Sequence, residues 1–156
     1  MIALVTDSNA QLSPELTAEL GVDVVPLVIS IDGKDYAEGV DLGADDFYEM
    51  LAGDSHEIST SQPSPGRFLE TYLTAAQRGA TEILSVHIGA EHSGTVNSAT
   101  VASRRAPAES VIAQVYRPDE HDAVRPHFPY PTDVGPERVR SLDAVKGVGA
   151  VLFAQF

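Results

Sequence analysis

The sequence contains no cysteine. That removes disulfides, thiolate zinc sites and cysteine nucleophiles together, and leaves the redox compartment open, although a reducing one fits. Basic side chains are also few, 10 Lys and Arg against 23 Asp and Glu, for a net charge of -13. So acidic a surface repels nucleic acid and anionic lipid headgroups at long range, so no nucleic-acid function is expected. No uninterrupted apolar run approaches the ~20 residues of a membrane span. The opening Met1-Ile2-Ala3-Leu4-Val5-Thr6-Asp7 has no basic start, and Asp7 breaks its apolar run, so it does not read as a signal peptide. A soluble, cytoplasmic protein is the resulting expectation. A chain of 156 residues suits one ordinary domain, which would bury roughly 70% of the surface its unfolded form exposes.

What is present is unevenly spread. Residues 1–103 hold 16 acidic and 3 basic side chains, whereas residues 104–156 hold 7 of each and 6 of the 10 prolines. The two stretches read as different material, although an acidic face beside a neutral one is commonly no more than solvated surface.

The first stretch alternates strand and helix signals. Met1–Thr6 is a short apolar run that delivers Asp7 and Ser8 at its carboxyl end, as a buried parallel strand would. Ser13-Pro14-Glu15 predicts a capped helix to about Leu20, stopped by Gly21. Val22–Ile31 reads as one continuous strand, with Asp32-Gly33 as a turn and Lys34-Asp35-Tyr36 returning. A helix is expected over Gly43–Leu51, with Phe47, Met50 and Leu51 on one face and Gly53 as its stop. Asp54–Ser64 reads as a polar loop. Ser64-Pro65 then opens a helix with Phe68, Tyr72, Leu73 and Ala76 on one stripe, closed at Gly79. A strand over Glu82–Ile88 and a helix from Ser93 to about Ser103 follow. This order predicts an α/β, three-layer domain with a mostly parallel sheet between helices. Beyond residue 103, Val111–Val115 is a candidate strand. Arg117–Val134 reads as irregular, Arg138–Ala144 as a short helix, and Val148–Phe156 as an apolar ending able to pair at a sheet edge.

Two segments carry candidate chemistry. Ile88–Thr95 leaves a predicted strand and enters a helix, where free N–H groups and the helix dipole favour an anion. Ser93 is a candidate N-cap whose hydroxyl either caps Val96 or turns to a ligand. Gly94 allows close backbone approach, and Thr95 adds a second hydroxyl. On these residues alone, a plain capping serine and helix-start glycine are the ordinary explanation. Thr60-Ser61-Gln62-Pro63-Ser64-Pro65-Gly66 sets three neutral hydrogen-bonding side chains before a locked helix start, which is also common in simple connections.

Val5-Thr6-Asp7-Ser8, Val25-Pro26-Leu27, Thr60 through Phe68, and Ser93-Gly94-Thr95 with Asn97-Ser98-Ala99 resemble the DegV family in order and spacing across residues 1 to about 103. The resemblance implies a bacterial, non-enzymatic protein that binds a long-chain fatty acid such as palmitate and presents its carboxylate to a fatty-acid kinase for acyl-phosphate formation. It places the carboxylate at Thr60, Ser93 and Gly94, with Ser61, Gln62, Thr95, Asp7 and Ser8 in support. It implies neither cofactor nor metal. It also implies a second α/β domain, which residues 104–156 do not resemble. They read as an atypical proline-rich tail, such as a truncated or frameshifted reading frame would produce.

One local departure is Gly89-Ala90-Glu91-His92, where the family pattern has small hydroxyl residues and then an apolar one. Other readings stay open. Ser93 could serve a serine esterase with His87 or His92 as base, although no G-x-S-x-G elbow is present. His87 or His56 could carry phosphate. The chain could equally be an incomplete structural domain that dimerises through an uncovered face. Asp41, Asp45 and Asp46 cluster at a helix start, where acids usually complement the dipole rather than bind a cation.

Overall fold

The computed structural model describes residues 1–52 and 55–115. The expected helix stop at Gly53 and the expectations for residues 117–156 lie outside the described residues.

Two sheets organise the chain. The larger has four parallel strands in the order β2 (Val22–Val25), β1 (Ile2–Asp7), β6 (Glu82–Ile88), β7 (Glu109–Val115). Helices flank it: α1 (Pro14–Leu20), α3 (Pro65–Gln77) and α4 (Thr95–Ser103). The expected α/β architecture with a parallel sheet between helices is therefore present, and the sheet runs past residue 103 to include β7. The smaller sheet is antiparallel, in the order β4 (Lys34–Ala37), β3 (Val28–Ile31), β5 (Ile58–Ser61), and is accompanied by α2 (Ala44–Leu51).

Local chemistry explains the helix boundaries. Ser13 and Ser64 each accept an N–H from the third residue on, at 3.2 and 3.3 Å, and each precedes a proline at the first helical position. Gly21 ends α1 at φ +61°, and Gly79 follows α3 at φ +94°, conformations that side-chain-bearing residues resist.

Three expectations are corrected. Val22–Ile31 is two strands in different sheets, because Pro26 has no N–H for the ladder and the chain changes partner there. The polar segment read as loop contains β5, whose Ile58 to Ser61 pair with Ile31 to Val28. The buried stripe of α3 is Phe68, Tyr72 and Ala75, while Leu73 is 40% exposed. That core continues through Val5, Val25 and Ile83 to Ala99 and Ala102, small residues that let α4 lie close to α3 and the sheet. The smaller sheet has its own cluster of Ile29, Ile31 and Leu42, covered by Phe47 and Met50 of α2.

Candidate functional site

The order of the parallel strands reverses between β1 and β6: the chain first steps outward to β2, then returns on the other side of β1. In open α/β sheets the crevice beyond the carboxyl ends of the strands at such a point is where ligands bind. Asp7-Ser8 and the turn from Ile88 to Thr95 both emerge there.

The floor of this crevice is a buried polar chain. A carboxylate oxygen of Asp7 lies 2.6 Å from His87 Nδ1, and His87 Nε2 lies 2.7 Å from Ser85 Oγ. The Tyr72 hydroxyl donates to Ser85 Oγ at 2.8 Å. None of the four residues exceeds 2% exposure. One arrangement of protons satisfies every member: Tyr72 donates to Ser85, Ser85 to Nε2, and Nδ1–H to Asp7. The other Asp7 oxygen accepts the Asn9 N–H at 3.0 Å, and Phe68 meets the His87 ring edge-on at 5.0 Å between centroids. Burial pushes the Tyr72 phenol up to about 12, against the smaller lowering effect of its bond to Ser85.

This burial removes two readings of His87. Its imidazole is committed to Asp7 and Ser85 and closed to solvent, so it serves neither as base for Ser93 nor as a phosphate carrier. Ser85 sits with a histidine and an aspartate as in a hydrolase triad, but at 0% exposure its hydroxyl meets no substrate. His56 lies at the hairpin turn, bonded to Asp32, whose carboxyl its bond and the Glu57 N–H hold below the usual carboxylate range. His92 is exposed and its N–H reaches Gly89 O at 2.9 Å.

Above the floor, the start of α4 differs from the simple cap. The N-cap is Gly94, which makes no side-chain bond. Ser93 Oγ instead accepts the Thr95 N–H at 3.2 Å and lies 2.9 Å from Thr95 Oγ1. Thr95 is buried and Ser93 half-buried. With Thr95 donating to Ser93, the Ser93 O–H remains free to donate outward.

Gln62 joins this turn to the β5 segment. Its Nε2 donates to Ser98 Oγ at 3.3 Å, and its amide lies directly on Gly94, where a Cβ would stand 1.8 Å from Oε1. Thr60 and Ser61 lie on β5 itself, exposed, opposite Ile29 and Val28. Adjacent strand residues point to opposite faces, so Thr60 shares the face of Ile29 and Tyr36 while Ser61 turns away.

The two residues at the end of β1 are engaged internally. Besides the Asp7 contacts, Ser8 Oγ donates to Glu38 and accepts the Leu27 N–H at 2.9 Å, tying β1 to the segment between the two sheets. Asp41 accepts the Ala37 N–H at 2.9 Å, and Asp45 and Asp46 occupy the first turn of α2. Among the described residues, no group of three or more His, Cys, Asp or Glu is placed to hold a metal, and no helix is long and apolar enough to cross a membrane.

Sequence reading missed the polar chain through Ser85 and Tyr72. Its only local signal is the alternation of Ser85 and His87 within the otherwise apolar run of residues 83–88.

Comparison with known proteins agrees with this architecture. The family described as "Uncharacterised protein, DegV family" matches residues 1–117. A DegV domain-containing protein of Halalkalibacterium halodurans is 41% identical over 111 residues, covering 71% of this chain and 39% of the relative. A DegV family protein from Thermus thermophilus, described for fatty-acid binding, superposes with a TM-score of 0.63 at 34% identity, covering 72% of this chain and 40% of that one. A stearic acid-binding protein from Eubacterium ventriosum gives a TM-score of 0.66 at 28% identity, covering 72% and 40%. The chain thus spans about 40% of the length of these relatives. By its sequence over residues 1–117 and by the fold of the described residues, this chain belongs to the DegV family.

Proposed function

We propose that this chain binds a long-chain fatty acid by its carboxylate in the crevice at the ends of β1 and β6, and presents it to a fatty-acid kinase. The observation that carries the reading is the meeting of the Thr60-Ser61-Gln62 and Ser93-Gly94-Thr95 segments through Gln62, beside the point where the parallel order reverses. The Ser93 hydroxyl and Thr60 are the carboxylate donors, with Gly94 holding the turn close and Thr95 orienting Ser93. Asp7 supports from below, through His87, and Ser8 by joining β1 to the Leu27 segment. Solved relatives described as binding fatty acid, including stearic acid, support the ligand class.

The chemistry suits presentation rather than turnover. Neutral hydroxyl donors hold a carboxylate by charge-assisted hydrogen bonds and leave one oxygen reactive toward a phosphoryl donor, whereas a lysine or arginine would blunt it. A kinase partner therefore supplies the phosphoryl group, and this chain supplies position.

Affinity depends on the acyl chain. Burying a CH₂ contributes about 0.8 kcal/mol, so the roughly 14 methylenes of a C16 chain offer about 11 kcal/mol. If the described residues wall only half of it, affinity falls by about four powers of ten. Extraction of lipid from the purified chain, followed by mass spectrometry, tests the ligand class. A C14–C18 fatty acid recovered from the wild-type chain and depleted in Ser93→Ala supports the proposal; extracts of wild type and variant that are alike contradict it.

A further inference from the structure

We infer that Gln62 is a positioning residue: its amide seats in the space left by the missing side chain of Gly94 and latches the end of β5 to the first turn of α4. This rests on the proposed carboxylate site, whose two halves it joins.

The geometry is specific. A Cβ on Gly94 would lie 1.8 Å from Oε1, 2.6 Å from Cδ and 2.7 Å from Nε2 of Gln62, so the whole amide covers that α-carbon. The same amide reaches Ser98, a buried residue 36 positions away in sequence, with an Nε2 to Oγ bond of 3.3 Å. Gly94 has φ -75°, a value open to any residue, so backbone conformation does not demand glycine here. The close approach of Gln62 does. Gly94 therefore serves the contact between the two segments.

On the other side of the latch, β5 is an edge strand whose one strand partner among the described residues is β3, and all four of its residues are exposed. Among the described residues, the Gln62 to Ser98 bond is the hydrogen bond that ties this end of β5 to α4, and without it the Thr60 strand end is free to shift relative to the Ser93 turn. An ordered pair of donors then becomes two independent ones, and the entropy of ordering them is paid on binding.

The atoms that would meet a Cβ are the far end of a flexible side chain, so Gly94→Ala expels the Gln62 amide rather than unfolding the turn. Gln62→Ala and Gly94→Ala thus remove the same contact by different routes. In the 156-residue chain without ligand, each single variant is expected to lower Tm by about 3 °C, and the double variant by the same about 3 °C rather than about 6 °C. Palmitate or laurate affinity, read by calorimetry or by amide shifts in ¹⁵N spectra, falls about tenfold in each single variant and no further in the double. Gln62→Asn, one methylene short of Gly94, behaves as Gln62→Ala.

Additive Tm losses, or an Asn variant that matches wild type, overturn the latch. So does ligand affinity unchanged in Gln62→Ala while wild type binds. If wild type binds neither acid, the carboxylate reading fails, and the Tm cycle still decides whether Gln62 and Gly94 are coupled.

Discussion

The two sheets of this chain are built to different standards. The parallel sheet encloses Phe68, Tyr72 and Ala75 at 0% exposure, and closes a four-member polar chain beneath the β1–β6 crevice. The antiparallel sheet buries only Ile29 and Ile31, with Leu42 beside them, and its β5 edge is wholly exposed. The proposed site draws one half from each. Ser93 and Thr95 stand on the well-packed half, while Thr60 stands on the thin one. Position on the first half follows from packing; on the second it depends on a few contacts such as Gln62 on Gly94.

This contrast can be broken by mutation. The largest effect is expected at Phe68→Ala, which opens a cavity in the main core at a cost of about 3–5 kcal/mol in denaturant-induced unfolding. Asp7→Ala comes next: it leaves the His87 N–H buried without an acceptor, for a loss of about 2–3 kcal/mol measured the same way. Ile29→Ala should cost less, about 2 kcal/mol, since its cluster is small and partly open. Its effect should be local, with hydrogen exchange faster in β3, β4 and β5 but unchanged in β1 and β6. A uniform rise in exchange would show that the two sheets unfold as one.

The smallest effect is confined to alkaline pH. Burial raises the Tyr72 phenol to about 12, above an unfolded value of about 10. The folded state therefore holds this proton more tightly. That contribution to stability is fully present below pH ~10 and is lost as pH rises through about 12. Tyr72→Phe should remove this slope from a Tm profile between pH 8 and 12, at a cost of about 1 kcal/mol near neutrality for the lost hydrogen bond.

What could be read from the sequence divides along the same line. Ser13-Pro14 and Ser64-Pro65 announce their helices because a cap and a locked φ act within one turn. The apolar runs of β1 and β6 declare strands buried on both faces. By contrast, Ile58-Ser59-Thr60-Ser61 forms a strand only because β3 lies beside it, so its polar composition reads as loop. Pro26 marks a break, but that the break moves the chain from one sheet to another is a tertiary fact. At the site, Ser93, Gly94 and Thr60 were legible as candidate residues. The role of Gly94 was not, because it depends on a side chain 32 residues earlier. His87, too, needed Asp7 from the neighbouring strand, 80 residues away in sequence, to show that it is structural rather than reactive.

The central claim is that Ser93 and its neighbours hold a carboxylate. The most direct measurement is calorimetric titration of palmitate into the 156-residue chain and its Ser93→Ala variant, with Tm recorded for both. The account predicts binding weaker than micromolar in the wild-type chain, at least about tenfold weaker in the variant, and a Tm lowered by about 3–5 °C because the variant leaves the buried Thr95 hydroxyl and N–H without Ser93. Submicromolar binding would contradict the view that the described residues wall only part of the acyl chain, and equal affinity in the two proteins would contradict the site itself.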